Sequence, residues 1–130
     1  MAFEAQLVSP ERVLYTGQAS QVLCRTVGGG DIAFLTDHAP MIGALDIWEV
    51  KITTTDNREE WFAVHGGFVE VSGDSVIILS DVAEAAGQID AERARRAHER
   101  AESDLRSDPD NDESKAAVQR AQVRLEVAAK

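Results

Sequence analysis

The glycines and aromatics of this 130-residue chain stop well before the chain does. All nine glycines fall between Gly17 and Gly87 and all seven aromatics between Phe3 and Phe68, so residues 88–130 contain neither. Glycine punctuation among β-branched and aromatic residues is the pattern of strands and turns, whereas a glycine-free stretch rich in Ala, Arg and Glu is the pattern of helix. The fold class that follows is α+β: an N-terminal antiparallel β-sandwich over residues 1–87, then a C-terminal two-helix antiparallel hairpin over residues 88–130. No repeat of solenoid length is present.

Within the first part, Phe3 to Val8, Arg12 to Tyr15, Gln21 to Val27, Ile32 to Leu35, Ile47 to Thr54, Glu60 to Val64, Phe68 to Val71 and Val76 to Leu79 carry strand propensity. Ser9-Pro10, Gly17, Asp56-Asn57 and Ser72-Gly73-Asp74 separate them as turn signals. Many short strands at this spacing predict a sandwich. Lys51 and Glu70 are expected on outer faces.

The second part predicts two helices. Ala91, Ala94, Ala97, Ala101 and Leu105 recur at spacings of three and four, with Asp90 as N-cap, which predicts a helix from Asp90 to Ser107. Ser107 to Asp112 is a breaker cluster around Pro109, after which Val118, Ala121 and Leu125 set a second stripe. A seam made mostly of alanine allows close approach but contributes only about 0.8 kcal/mol per buried methyl-sized group. Such a hairpin is expected to detach or rearrange.

Charge follows the same division. The chain carries 13 Lys+Arg against 23 Asp+Glu, a formal net charge of −10. Residues 1–87 hold 4 of the bases and 13 of the acids, so nearly all the excess acid lies in the sandwich. That balance opposes nucleic-acid binding, which needs a basic surface to release counterions. Cys24 is the single cysteine, so no intrachain disulfide or thiolate metal site is available. Met1 to Pro10 has no basic start and apolar run, and no window approaches 18 apolar residues. A leaderless chain in a reducing, cytoplasmic setting is expected.

Catalytic motifs are absent. Gly28-Gly29-Gly30 lacks a phosphate-loop lysine, and there is no nucleophile elbow or histidine pair at metal-ligand spacing. His38 and His65 are the two candidates for an enzyme's acid or base. The plainer reading makes them loop histidines that bond backbone or meet a partner. In the tail, Arg93, Arg96 and Arg100 share one helical face, and Arg120 and Arg124 are one turn apart. Arg93, Arg100, Arg120 and Arg124 each precede a residue of the apolar seam, so folding the hairpin would gather four guanidinium groups along one edge. Planar guanidinium forks suit a polyphosphate. The alternative is a solvated face in which they pair with Glu92, Glu99, Glu102 and Glu126.

Three ordered segments carry a resemblance. Gly30-Asp31-Ile32-Ala33-Phe34-Leu35-Thr36-Asp37-His38-Ala39-Pro40-Met41, then Gly66-Gly67-Phe68-Val69-Glu70-Val71, then Asp81-Val82-Ala83-Glu84 resemble the epsilon subunit of bacterial F-type ATP synthases, essentially over the whole chain. The resemblance implies a β-sandwich carrying a helical hairpin. It also implies a non-catalytic rotor subunit on the cytoplasmic side of the cell membrane, reaching the membrane only through its complex. Its partners would be the gamma subunit, the c-subunit ring and the alpha/beta catalytic head, with no nucleic acid. In that family the hairpin folds on the sandwich or extends along gamma and inhibits hydrolysis. Some members bind ATP on the folded hairpin through an Ile-Asp-x-x-Arg-Ala motif, which Ile89-Asp90-Ala91-Glu92-Arg93-Ala94 matches, with Glu84, Arg100, Arg120 and Arg124 at matching positions. ATP is thus expected as a regulatory ligand, with no cofactor required. Asp31 and His38 match positions used near gamma and the c ring. The chain departs from the family pattern at Thr36, where the loop usually has Pro, and at Asp46-Ile47, which replaces a Pro-Gly. A free-standing ATP-sensing module is the other reading the same residues allow.

Overall fold

The computed structural model describes residues 2–130. Seven strands come first: β1 (Phe3–Val8), β2 (Val13–Thr26), β3 (Gly30–Phe34), β4 (Met41–Thr54), β5 (Glu59–Ser72), β6 (Ser75–Leu79) and β7 (Ala83–Ala85). A 3₁₀ turn (Ala86–Gln88) then leads into α1 (Ala91–Ser107) and α2 (Asp112–Ala128).

The strands pair in the order β1-β6-β5-β4-β2-β3, and β1 also pairs with β2, so the sheet closes into a flattened barrel of two layers. Pairing is antiparallel throughout except between β1 and β6, which run parallel. Antiparallel order is imposed where a tight turn joins neighbours, and no such turn joins these two distant strands. Inward side chains alternate with outward ones along β1, where Phe3, Ala5 and Leu7 are buried. Together with Val22, Cys24, Val50, Ile52, Phe62, Val64, Val69, Val71, Val76 and Ile78 they form one continuous core. Burial pushes the Cys24 thiol up to about 12, which leaves it inert.

Two expected breaks are absent. The stretches expected at Arg12 to Tyr15 and Gln21 to Val27 fall, but for Arg12 and Val27 at their ends, in the single strand β2, which runs through Gly17. Likewise β5 continues through Gly66-Gly67 rather than stopping there. At Gly67, φ is +117° and an added Cβ would collide with the Leu79 carbonyl, so glycine lets β5 pass close over β6 without ending it. β5 is also buried on both faces at Phe62-Ala63-Val64. Phe62 and Val64 face the sandwich core, while Ala63 packs beneath the helices. Lys51, expected outside, is largely covered, with its ammonium near the Trp61 ring.

Both helices begin on side-chain caps. Asp90 accepts from the Arg93 backbone N–H at 3.0 Å, and Asn111 from that of Ser114 at 3.1 Å. Ala94 and Ala101 of α1 and Ala121 of α2 are buried, whereas Ala91 is exposed and Ala97, Leu105, Val118 and Leu125 are half-buried. α2 has a second apolar face that the stripe reading missed. Val123 and Val127 are fully buried against Ala63, with Ile47, Trp61, Ala86 and Ile89 around them. Gln119 Nε2 donates to the Ile47 carbonyl at 2.7 Å, and the Lys130 ammonium lies 4.2 Å from the Trp61 ring centre. α2 therefore docks the hairpin on β4 and β5, and α1 packs on α2.

Candidate functional site

β7 pairs with β5 so that Glu84 lies opposite Ala63, at the edge of the face that α2 covers. The chain then turns sharply. Gln88 Oε1 accepts from the Ala85 N–H at 3.1 Å and from Arg12 Nη2 at 3.0 Å, which ties the 3₁₀ turn to the loop after β1. Asp90 caps α1 immediately afterwards, and helical spacing then aligns Arg93, Arg96, Ala97 and Arg100 on one face. These elements enclose a cavity of about 580 Å³ lined by Glu84, Gln88, Ile89, Asp90, Arg93, Ala94, Arg96, Ala97, Arg100 and Arg124. That volume lies in the ordinary range for a small-molecule site.

Two arginines of the cavity, Arg93 and Arg100, are not spent on neighbouring acids. Arg95, on the other side of α1, takes Glu99 at 2.7 Å and also holds Glu92, while His98 takes Glu102 at 3.1 Å. Arg96 approaches Glu92 only at 3.9 Å. Arg93 and Arg100 make no ion pair among the described residues. Both side chains are exposed at the cavity wall, and of the acids on α1 Glu92 and Glu99 are taken by Arg95 and Glu102 by His98.

Arg124 reaches the cavity from α2 and is held at one edge. Its Nε donates to Glu84 Oε1 at 2.7 Å, and the same oxygen lies 3.1 Å from His65 Nε2. The His65 side chain is only 4% exposed. The His65 hydrogen bond, followed by the Arg124 guanidinium, draws the Glu84 carboxyl down to about 2 against the opposing effect of burial. His65 is thus a strand residue joined to a carboxylate, not a loop histidine.

Seven of the eight sequence-derived ATP positions meet here: Glu84, Ile89, Asp90, Arg93, Ala94, Arg100 and Arg124. Arg120 does not. It lies one turn earlier on α2, about 6 Å along the axis, and bonds Glu113 at 2.6 Å. Four guanidinium groups do gather, but the fourth is Arg96. Arg96 was legible from its spacing to Arg93, whereas nothing in the local pattern marked Gln88. Asp31 and His38 lie outside this cavity. Asp31 pairs with Arg25 at 2.8 Å, and the Arg25 guanidinium stacks 3.8 Å over Trp48. His38 packs edge-on to Phe34 and Phe3, with both ring nitrogens buried and unpaired.

Unpaired guanidinium groups beside an apolar wall of Ile89, Ala94 and Ala97 fit a ligand with a polyanionic end and a flat or apolar end. Among the described residues no cluster of His, Cys, Asp or Glu is arranged to hold a metal. No helix among the described residues is long and apolar enough to cross a membrane.

Residues 2–86 match the sequence profile of the ATP synthase delta/epsilon chain beta-sandwich domain. The chain is 46% identical over 100 residues to the ATP synthase epsilon chain of Brevibacillus brevis, covering 77% of this chain and 75% of that one. It is 39% identical over 124 residues to the epsilon chain of Streptomyces griseus, covering 95% and 93%, so that likeness runs through the hairpin. Its fold is also that of a chain in the mitochondrial ATP synthase of Euglena gracilis, with a TM-score of 0.83 at 18% identity over 99% of this chain and 82% of that one.

Proposed function

The chain belongs to the epsilon chain family of ATP synthase, and from that premise we propose that its hairpin cavity binds ATP and that the hairpin restrains hydrolysis by the assembled enzyme. As an epsilon chain it is a non-catalytic stalk subunit, a peripheral part of a membrane complex. The sandwich docks on the gamma subunit and the c-subunit ring on the cytoplasmic side, with Asp31 and His38 near those contacts, while the hairpin addresses the alpha/beta catalytic head. The c-ring partner is supported by the fold neighbour from Euglena gracilis, whose assembly includes a c-ring.

The observation that carries nucleotide binding is the state of the arginines. Arg93 and Arg100 line the cavity without a carboxylate partner, and Arg124 is gripped through Nε alone. Phosphate oxygens are the natural acceptors for such donors, at about 1.5–3 kcal/mol per charge-assisted hydrogen bond. Bound ATP would cross-link the linker, α1 and α2, and so hold the hairpin folded on the sandwich. Calorimetry of ATP against the intact chain tests this. Arg93→Ala and Arg100→Ala should each weaken binding by about tenfold or more, a change of about 1.4 kcal/mol. Unchanged affinity in both would remove the nucleotide reading. Removing residues 88–130 should raise hydrolysis by the reconstituted complex, and an unchanged rate would remove the inhibitory one.

A further inference from the structure

We propose that Arg96 is a phosphate-binding residue of the hairpin cavity, and that it strengthens the preference of the cavity for a nucleoside triphosphate over a diphosphate. The proposal rests on the nucleotide reading of the cavity and deepens it.

Arg96 lies outside the Ile89 to Ala94 motif and outside the other positions that the resemblance supplied, yet it lines the cavity beside Arg93, Arg100 and Arg124. On α1 it falls between Arg93 and Arg100, the two arginines that make no ion pair among the described residues. Along the helix axis it stands about 4.5 Å beyond Arg93 and about 6 Å before Arg100. Residues three and four apart share one face. The three guanidinium groups thus form a ladder rooted over about 10 Å of helix, which suits a chain of phosphates better than a single one. A polyphosphate that reaches both Arg93 and Arg100 passes Arg96, whichever way it runs.

What frees Arg96 is its neighbour in the chain. Glu92 precedes Arg96 at the favourable i, i+4 spacing and is the acid that would ordinarily take it. Both Glu92 oxygens are held by Arg95 instead, whose Nε donates to Oε2 at 3.2 Å and whose Nη2 donates to Oε1. Arg96 Nη1 lies 3.9 Å from that carboxylate. Arg95 Nη1 also donates to Glu99 at 2.7 Å, the acid three residues after Arg96. With its side chain 62% exposed, Arg96 can turn onto a phosphate and give up only a long, solvent-screened contact.

The charges lining the cavity complete the argument. Four arginines stand against two carboxylates, Glu84 and Asp90. Glu84 is bonded to His65 and Arg124, and Asp90 caps α1. The balance is positive, so each further phosphate on the ligand meets attraction, and a planar fork is available to bind its oxygens.

The test is calorimetry of the intact chain with ATP and with ADP. The wild type should bind ATP more tightly. Arg96→Gln should lose about fivefold for ATP and no more than about twofold for ADP, as expected of one exposed charge-assisted contact. Arg96→Lys keeps the charge without the fork and should recover part of the loss. Arg106→Gln removes an equal charge from α1 outside the cavity lining and should leave both affinities within about twofold. Three results would overturn the proposal: equal affinities of the wild type for ATP and ADP, an ATP-to-ADP ratio unchanged in Arg96→Gln, or a loss in Arg106→Gln as large as that in Arg96→Gln. If Arg93→Ala weakens ATP binding beside any of these, the nucleotide site stands and only the role of Arg96 falls. Absence of ATP binding by the wild type removes both.

Discussion

The sandwich and the hairpin are built on opposite principles. Seventeen buried residues form one continuous cluster in the sandwich, so each is backed by many others. The hairpin reaches the sheet through Val123 and Val127, together with the polar contacts of Gln119, Arg124 and Lys130. Its internal seam is alanine, with Ala94, Ala101 and Ala121 buried. Close-packed, redundant burial gives a single well-defined state, whereas a few separable contacts allow a second packing within a few kcal/mol. The excess acid of the chain lies in the first region and the unpaired arginines of the cavity in the second, so charge is divided in the same way as packing.

The comparison breaks most readily in the sandwich core. Ile52 is fully buried between strands, and Ile52→Ala should lower the unfolding free energy by about 3 kcal/mol in denaturant titration, from lost transfer energy and the cavity left behind. Hydrogen exchange of the α2 amides through hairpin undocking should change little, since Ile52 belongs to the sandwich core and not to the α2 cluster. A loss below about 1 kcal/mol would mean that the sandwich is no more redundant than the hairpin.

A smaller effect is expected with the opposite distribution. Val127→Ala removes two buried methyl-sized groups, about 1.5–2 kcal/mol, and should speed α2 exchange by about 20-fold while the sandwich unfolds at the same denaturant concentration. If sandwich and hairpin instead shift together, they form one cooperative unit.

Acid gives a third handle. Glu84 is drawn from an ordinary value of 4.5 to about 2, first by His65 and then by Arg124. A carboxyl with a depressed value contributes stability that is complete above its unfolded value and is lost as pH falls through the folded one. The Glu84 contribution to docking should thus be intact above about pH 5 and disappear toward pH 2. Only the Arg124 part of it leaves with the hairpin, about 1 kcal/mol. Glu84→Gln should remove this acid transition from the exchange profile of α2. An unaltered transition would assign it to other carboxylates.

Local pattern carried the sequence reading further in some places than in others. The Asp90 cap and the breaker cluster between the helices are local features, and α1 begins at the former while α2 begins inside the latter, on Asn111. The strand breaks at Gly17 and Gly66-Gly67 were misread because glycine ends some strands and is tolerated inside others: Gly17 stays paired with Ala5 of β1, and Gly67 lets β5 pass close to Leu79 of β6. Val123 and Val127 were passed over because a helix with two partners has two apolar faces, and a single stripe of Val118, Ala121 and Leu125 describes neither fully. In the cavity, regular spacing along α1 located Arg93, Arg96 and Arg100. Arg124 was legible from its place beside the apolar seam, whereas Glu84 came from the resemblance alone, since its meeting with Arg124 depends on how β7 and α2 dock. The Asp46-Ile47 departure also acquires a physical role, because the Ile47 side chain packs against the cluster of Ala63, Val123 and Val127 that seats α2.

Arg120 gives the smallest expected effect and the sharpest discrimination. Sequence position groups it with Arg124, while the structure turns it to Glu113 at 2.6 Å and leaves it outside the cavity lining. Its pair is half-solvated, with side-chain exposures of 32% and 77%, and such pairs contribute below about 0.5–1 kcal/mol. Arg120→Ala should therefore leave ATP affinity within about twofold and hairpin docking nearly unchanged, whereas Arg93→Ala and Arg100→Ala lose affinity. Calorimetry on the three variants under one buffer decides the matter. A loss for Arg120→Ala equal to that for Arg93→Ala would mean that the guanidinium leaves Glu113 when nucleotide arrives. The docked cavity would then be an incomplete form of the site, finished only by a rotation of α2.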